Sequence, residues 1–448
     1  MSLTFRTWRR ATVSLTAIAT LTASLLAATP AEAQNVVTPG SFTGFGFDQC
    51  IAPTQEAMDV WLNTSPYWAV GIYIAGDNRY CGDDKQVNLD ATWVSTQLRN
   101  GWRLLPLTVG LQASCSSRLD ANGVDRYKGK KISADPTDGY ATARGQGRSE
   151  ARTTVQAARR LGIGERSTLW FDIEAYPPNR LRCRESALAF LSAWTNKLHA
   201  LGFVSGVYSS AASGIRDLDD AQTLTPGRYA MPDQVWIADW NQQADLYSQY
   251  VRPESWMPHK RIHQYRGGHD ETYGGVTINI DSNYMSLGRG SVAPREAGHC
   301  GVELNFPRYR RMSLGDDGAQ VKAAQCLLRK KGFYQGELRF PFTPKTERAV
   351  RDYQTARGLP VNGSLTSRTW TALLVEGATP LVKIGSAKHA VRRVQRGLNA
   401  AIGARLTVTG VFDATTTQAV RAFQKDRGMY RTGVVAADTW AVLQEGRS

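Results

Sequence analysis

The chain has 448 residues, of which 42% are apolar and 21% charged, and a mean hydropathy of −0.35. That length accommodates about two to four domains. The balance excludes wholesale disorder and a polytopic membrane protein, since a single apolar run is long enough to consider. The net charge of +15 is uneven: residues 313–448 carry 21 Lys/Arg against 10 Asp/Glu, whereas residues 1–312 carry 33 against 29.

The apolar run comes first. Arg6, Arg9 and Arg10 precede Ala11–Ala28, and Ala31-Glu32-Ala33 follows as a small-residue cleavage pattern. Residues 1–33 therefore read as an export signal. Six of the eighteen residues in the run are Ser or Thr, a poor composition for a membrane anchor. No stable membrane insertion is expected once the signal is removed. The Arg9-Arg10 pair leaves the general and twin-arginine export routes both open. Export gives the six cysteines a meaning. An even number outside the cytoplasm predicts three disulfides, and an oxidised cysteine is no nucleophile. Cys300 and Cys326 are close in sequence and are expected to pair. Cys50, Cys81, Cys115 and Cys183 are left with their pairing open.

Residues 40–290 alternate short apolar runs with helical segments. The runs are 44–48, 70–75, 104–109, 169–173, 204–208, 235–238, 261–265 and 276–280. Helices fit at 55–63, 91–101, 141–161 and 185–201. Such alternation predicts parallel βα units, and eight strands in this length fit one barrel. Only ten residues separate Tyr265 from Val276, too few for a helical crossover. The expectation is an α/β fold: a TIM-like barrel with irregular last strands joined by loops, (β/α)5β3-like.

Barrel chemistry gathers at the C-terminal strand ends. Acids follow four of the eight apolar runs: Asp48, Asp172 with Glu174, Asp239, and Asp281. Asp172 and Glu174, two apart on a strand, are expected to share the face at the barrel mouth. Charge there is costly unless it is paired or used. Taken singly, each acid could be a strand-end or helix cap; together they suggest a shared site. Aromatic residues accompany them, including Trp170 and Tyr176. Tyr73, Tyr208, Trp236, Trp240 and Tyr265, with Asp239, are the candidate substrate-binding set. Rings cover sugar faces and paired carboxylates cleave glycosidic bonds. Other chemistries find little support. His259 and His263 lack the glutamate of a zinc peptidase, and no Gly-x-Ser-x-Gly, P-loop or dinucleotide fingerprint occurs. No cofactor and no metal are expected.

Several segments carry a family likeness: Gly-Phe-Asp48, Phe-Asp172-Ile-Glu174, Ser205-Gly-Val-Tyr208, Trp236-Ile-Ala, His263-Gln-Tyr265 and Asp281-Ser-Asn283. Through them the domain resembles the glycoside-hydrolase-like domain of secreted, cell-wall-associated bacterial proteins. It is more distantly similar to the muramidases of glycoside hydrolase family 25. The resemblance implies an acid site of Asp48, Asp172, Glu174 and Asp281, with Glu174 as proton donor. Departures from the muramidase pattern are Asp239-Trp240, the segment 83–90 and the long loop 114–138.

After a linker at 291–312, residues 313–376 and 383–446 form an internal repeat at a constant offset of 70. Val321, Gln325 and Leu328 match Val391, Gln395 and Leu398. Gln354, Gly363, Trp370 and Leu373 match Gln424, Gly433, Trp440 and Leu443. Helical spacing predicts two small α-helical modules. The Val-x-x-x-Gln and Thr-Trp-x-x-Leu patterns resemble the peptidoglycan-binding domain of secreted wall hydrolases. The expected partner is peptidoglycan or a related cell-wall glycan, which suits the basic surplus of this third; nucleic acid is not expected on an exported chain. Two functions follow: an exported, peptidoglycan-directed, muramidase-like hydrolase tethered by the two modules, or a non-catalytic wall-binding protein with a degenerate barrel.

Overall fold

The computed structural model describes residues 36–119, 122–127 and 129–446, with Met1 and Ser2. The export signal expected over residues 1–33 falls, beyond those two residues, outside the described part. Eight strands close a barrel in sequence order. They are β1 (Phe42–Asp48), β2 (Tyr67–Ala75), β3 (Arg103–Thr108), β4 (Thr168–Asp172), β5 (Val204–Ser210), β6 (Gln234–Ala238), β7 (Lys260–Tyr273) and β8 (Val276–Leu287). Neighbours pair in parallel from β1 to β7, whereas β8 runs antiparallel to both β7 and β1.

Helices α1 (Gln55–Thr64), α2 (Ala91–Asn100), α3 (Thr137–Arg160) and α4 (Leu181–Ala200) follow the first four strands. In α3 the backbone is left-handed from Asp138 to Tyr140, so regular helix begins at Ala141. A fifth helical segment, absent from the sequence expectation, follows β5: a π-helical turn (Ala211–Ile215) running into α5 (Arg216–Leu224). Its apolar stripe is broken by buried Asp217 and Asp219. These are satisfied by the Tyr176 hydroxyl at 2.9 Å and by Arg252 at 2.6 Å. Five βα units followed by three strands give the anticipated (β/α)5β3 barrel.

The closing strands differ from expectation in length. The residues between Tyr265 and Val276 are not a loop; most of them extend β7 to Tyr273. Gly274 and Gly275, at φ +57° and +83°, make a two-residue hairpin turn, the backbone such turns require. The extension packs on α1, where the Trp61 indole donates to the Val276 carbonyl at 3.0 Å.

Alternation along each strand splits the apolar residues between two cores. Trp170, Trp236, Leu105, Leu107, Ile262 and Met285 fill the barrel interior. The rings of Trp170 and Trp236 meet edge to face at 5.6 Å. Gly206 permits this, because a Cβ there would lie 2.4 Å from the Trp170 ring. Phe171, one residue on, points the other way, against Phe190 and Trp194 of α4.

The repeat folds as α6 (Ala319–Lys330), α7 (Pro344–Ala356) and α8 (Ser367–Val375), then α9 (His389–Ala401), α10 (Ala414–Asp426) and α11 (Ala437–Gln444). Each module is pinned by the same contacts. The Trp370 indole donates to the Arg310 carbonyl and the Trp440 indole to the Pro380 carbonyl, both at 2.8 Å. Gln354 and Gln424 are buried, and each amide bridges the turn before the third helix, bonding Asn362, Gly363, Ser364 and Thr369 in the first module and Thr432, Gly433, Val434 and Thr439 in the second. Residues 300–312, expected as linker, contribute Leu304, Tyr309 and Met312 to the first module's core. The Cys300–Cys326 disulfide secures them. The other bridges are Cys50–Cys81 and Cys115–Cys183.

The second module docks on the barrel at the N-terminal ends of the strands. Lys383 is fully buried there; its ammonium donates to the Leu62 carbonyl at 2.6 Å and lies over the rings of Trp68 and Trp102. Ser291 donates to the Gly385 carbonyl at 2.6 Å. Arg396 of the second module makes a two-pronged ion pair with Glu296 of the preceding linker, at 2.8 and 2.6 Å, and donates to Asn305 Oδ1 beside the first module's core.

Candidate active site

At the opposite end of the barrel, a cavity of about 470 Å³ opens above the C-terminal strand ends. Asp48, Asp172, Glu174 and Asp281 all line it, with Tyr73. Asp48 ends β1 and sits directly opposite Asp281 in the antiparallel register. Such pairs hold their Cβ atoms about 4.5–5.5 Å apart. Asp281 is therefore not at a strand end, as the sequence suggested, but midway along β8, whose first half projects beyond the mouth. Gly71 makes room for Asp48: a Cβ on it would lie 2.5 Å from the Asp48 Cβ.

Asp48 is 1% exposed. It accepts from Asn283 Nδ2 at 2.7 Å, Gln264 Nε2 at 3.2 Å and the Tyr73 hydroxyl at 3.3 Å. Burial and then the negative charge of Asp281 nevertheless push its pKa up to about 7, against the downward pull of those donors. Asp172, the last residue of β4, is also buried, and its Oδ1 has no hydrogen-bond partner among the described residues. Burial, then Glu174 and Asp48, raise it well above the carboxylate range. An unpartnered oxygen in such a place is costly when charged.

Glu174 lies just past the end of β4 rather than within the strand, and its side chain is 38% exposed. Its place is set by Gln112, which accepts from the Glu174 amide at 2.8 Å and donates to the Asp172 carbonyl at 2.9 Å. Burial raises the Glu174 pKa, and Arg118, 3.7 Å away, opposes the rise. Asp281 is raised by burial. Trp170, expected beside Glu174, fills the barrel interior, and Phe171 lies on the outer side of the sheet.

The substrate-binding candidates divide. Burial holds the Tyr73 and Tyr208 phenols protonated, so both act as donors. Tyr208 gives its proton to Gln264 Oε1 at 3.0 Å, and Trp240 Nε1 donates to the same oxygen at 2.9 Å. The Trp240 ring is 61% exposed and lies over Gly267. Trp236 does not reach the cavity; it is fully buried in the barrel interior, where its indole donates to Asn283 Oδ1 at 2.7 Å. Tyr265 bonds Ser282, on the face of the sheet away from Asp281 and Asn283. The Asp239 carboxylate accepts from Ser248 at 2.8 Å and caps no helix. His263 is buried between the backbone carbonyls of Asp245 and Asp239, a packing role.

Three polar residues organise the acids: Gln264 and Asn283, which lie in the family-likeness segments without a role there, and Gln112, which no sequence signal marks. Gln264 is the hub, touching Asp48, Asp281, Tyr208 and Trp240. Period-two alternation from inward-facing Ile262 was the signal for it.

Fold and site define an α/β barrel with an acid-lined mouth, followed by two small helical modules. The profile of the Rv2525c-like, glycoside hydrolase-like domain matches residues 59–285, just over half of the chain, which thus belongs to that family. That of the putative peptidoglycan binding domain matches twice, at 317–373 and 388–443. Similar solved structures include an uncharacterised B. stearothermophilus protein, at 17% identity and TM-score 0.31, covering 54% of this chain and 95% of the other. Another is the Mycobacterium tuberculosis Tat-secreted protein Rv2525c in complex with HEPES, at 13% and 0.35, covering 55% and 96%. The modular autolysin LytC from Streptococcus pneumoniae matches at 11% and 0.32, covering 54% and 46%. No curated protein matches the chain.

Proposed function

We propose that the protein is an exported hydrolase of cell-wall glycan, directed to peptidoglycan by its two C-terminal modules. The observation that carries this reading is the convergence of four carboxyl groups from β1, β4 and β8 on one cavity. Glu174, the most accessible of the acids flanking β4, gives its proton to the glycosidic oxygen. Burial raises its pKa, against the pull of Arg118, in the direction a proton donor needs. Asp281, which accepts from the Gly268 amide and faces His269, is the ionised partner that stabilises the oxocarbenium-like transition state or orients the attacking group, whereas buried Asp172 stays protonated. Asp48, held by Asn283, Gln264 and Tyr73, completes the cluster. Export is supported by the N-terminal sequence and by three disulfides.

Arg118 beside Glu174 favours a second reading, a barrel that binds glycan without cleaving it, because a cation holds the donor's proton down. Incubating the mature protein with purified peptidoglycan and analysing the released sugar ends decides between the two. New reducing ends support the hydrolase; retention on the wall with no new ends supports the binding protein.

A further inference from the structure

The wall of the cavity facing the acids is basic. It is built from the loop after β2 and the loop after β3, which hold two of the three departures from the muramidase pattern. Arg79, Lys85, Arg118, Arg126 and Lys130 all line it. Two of these are committed: Arg79 to Asp83 at 2.9 Å and Arg118 to Glu174 at 3.7 Å. Lys85, Arg126 and Lys130 engage no carboxylate among the described residues. Lys85 and Arg126 both lie over the ring of Tyr80, at 4.9 and 4.8 Å, and that ring is 61% exposed. The loops are tied down by the Cys50–Cys81 and Cys115–Cys183 disulfides, so this charged platform is anchored beside the acids.

We propose that this wall selects a glycan bearing carboxylate groups, seating the carboxylate of a sugar substituent at Lys85 and Arg126 while the ring lies over the acids. The inference rests on the glycan-directed reading above and specifies its substrate. A neutral sugar makes no use of the charge on Lys85 and Arg126, which engage no carboxylate among the described residues and cost desolvation if covered by an uncharged ligand. A single negative charge satisfies them. A doubly charged phosphate is disfavoured, because Asp48, Asp172, Glu174 and Asp281 share the same 470 Å³.

The test is a binding titration of the full mature chain with thioglycoside-linked probes, which resist turnover and leave Arg118 paired with Glu174. The probes are a tetrasaccharide of alternating N-acetylglucosamine and N-acetylmuramic acid, the same sugar with its carboxyls reduced to alcohols, and a phosphorylated neutral tetrasaccharide. The carboxylated sugar is expected to bind about tenfold tighter than the reduced one, and the gap to narrow as salt rises. In Lys85→Ser/Arg126→Ser, two exposed positions, the gap closes while affinity for the reduced sugar stays the same; the C-terminal modules are common to both proteins. Equal binding of the carboxylated and reduced sugars, a gap that survives the double substitution, or a preference for the phosphorylated sugar overturns the proposal. Discrimination without any release of sugar ends by the wild type overturns the hydrolase reading and leaves this one standing.

Discussion

At the scale of single residues, Asp48 makes the clearest prediction. Its folded pKa, about 7, lies above the ordinary 3.8. The folded state therefore holds a proton that the unfolded chain releases. Stability from this group is full below about pH 4 and falls as pH rises toward 7. Asp48→Asn keeps an acceptor for Asn283 and removes the titration. Its thermal midpoint, followed by calorimetry from pH 4 to 8, is expected to vary less than the wild type's and to exceed it at neutral pH. For the proposed chemistry, Glu174→Gln is expected to lower release of sugar ends by about 10²–10⁴-fold, with co-sedimentation on peptidoglycan unchanged. Arg118→Ala removes the cation that lowers the Glu174 pKa. The donor then stays protonated to higher pH, and the alkaline limb of the pH–rate profile is expected to move to higher pH.

At the scale of elements, the modules are held by buried amides rather than by apolar contact alone. Gln354→Leu strands the Asn362 and Gly363 amides. It is expected to cost about 1–3 kcal/mol, read as faster hydrogen exchange in α7 and α8 but not in α10 and α11. Gln424→Leu produces the converse pattern. The sequence made the repeat legible because two aligned copies separate signal from chance. The first four strands and their helices were legible because strand and helix periods alternate cleanly there. The fifth helical segment was not, because Asp217 and Asp219 occupy positions where a sequence reader looks for apolar residues, and their partners Tyr176 and Arg252 are remote in the chain. The same limit applied to the site. Acids after apolar strands pointed to Asp48, Asp172, Glu174 and Asp281. Trp236 and Tyr265 were placed among the binding residues because an aromatic side chain does not announce which face of its strand it occupies. Here Trp236 fills the inside of the barrel, and Tyr265 turns away from the cavity.

At the scale of the whole molecule, the organising contact is Lys383, taken from the second module into the base of the barrel. Lys383→Met keeps the stem on Trp68 and Trp102 and is expected to preserve docking. Lys383→Glu puts an unpaired carboxylate against the Leu62 carbonyl and is expected to release the module. The readout is a larger radius of gyration in solution scattering and new proteolytic cleavage between residues 376 and 382, with the barrel intact. This contact sits at one end of the barrel and the acid cavity at the other. A tether on a floppy leash would let the mouth bend back onto the strand being gripped. A tether bolted to the base holds the mouth facing outward, a full barrel height from its own anchorage. Under the proposed hydrolase reading, a mouth set at the far end from the docked module would cut neighbouring strands before the one that anchors it.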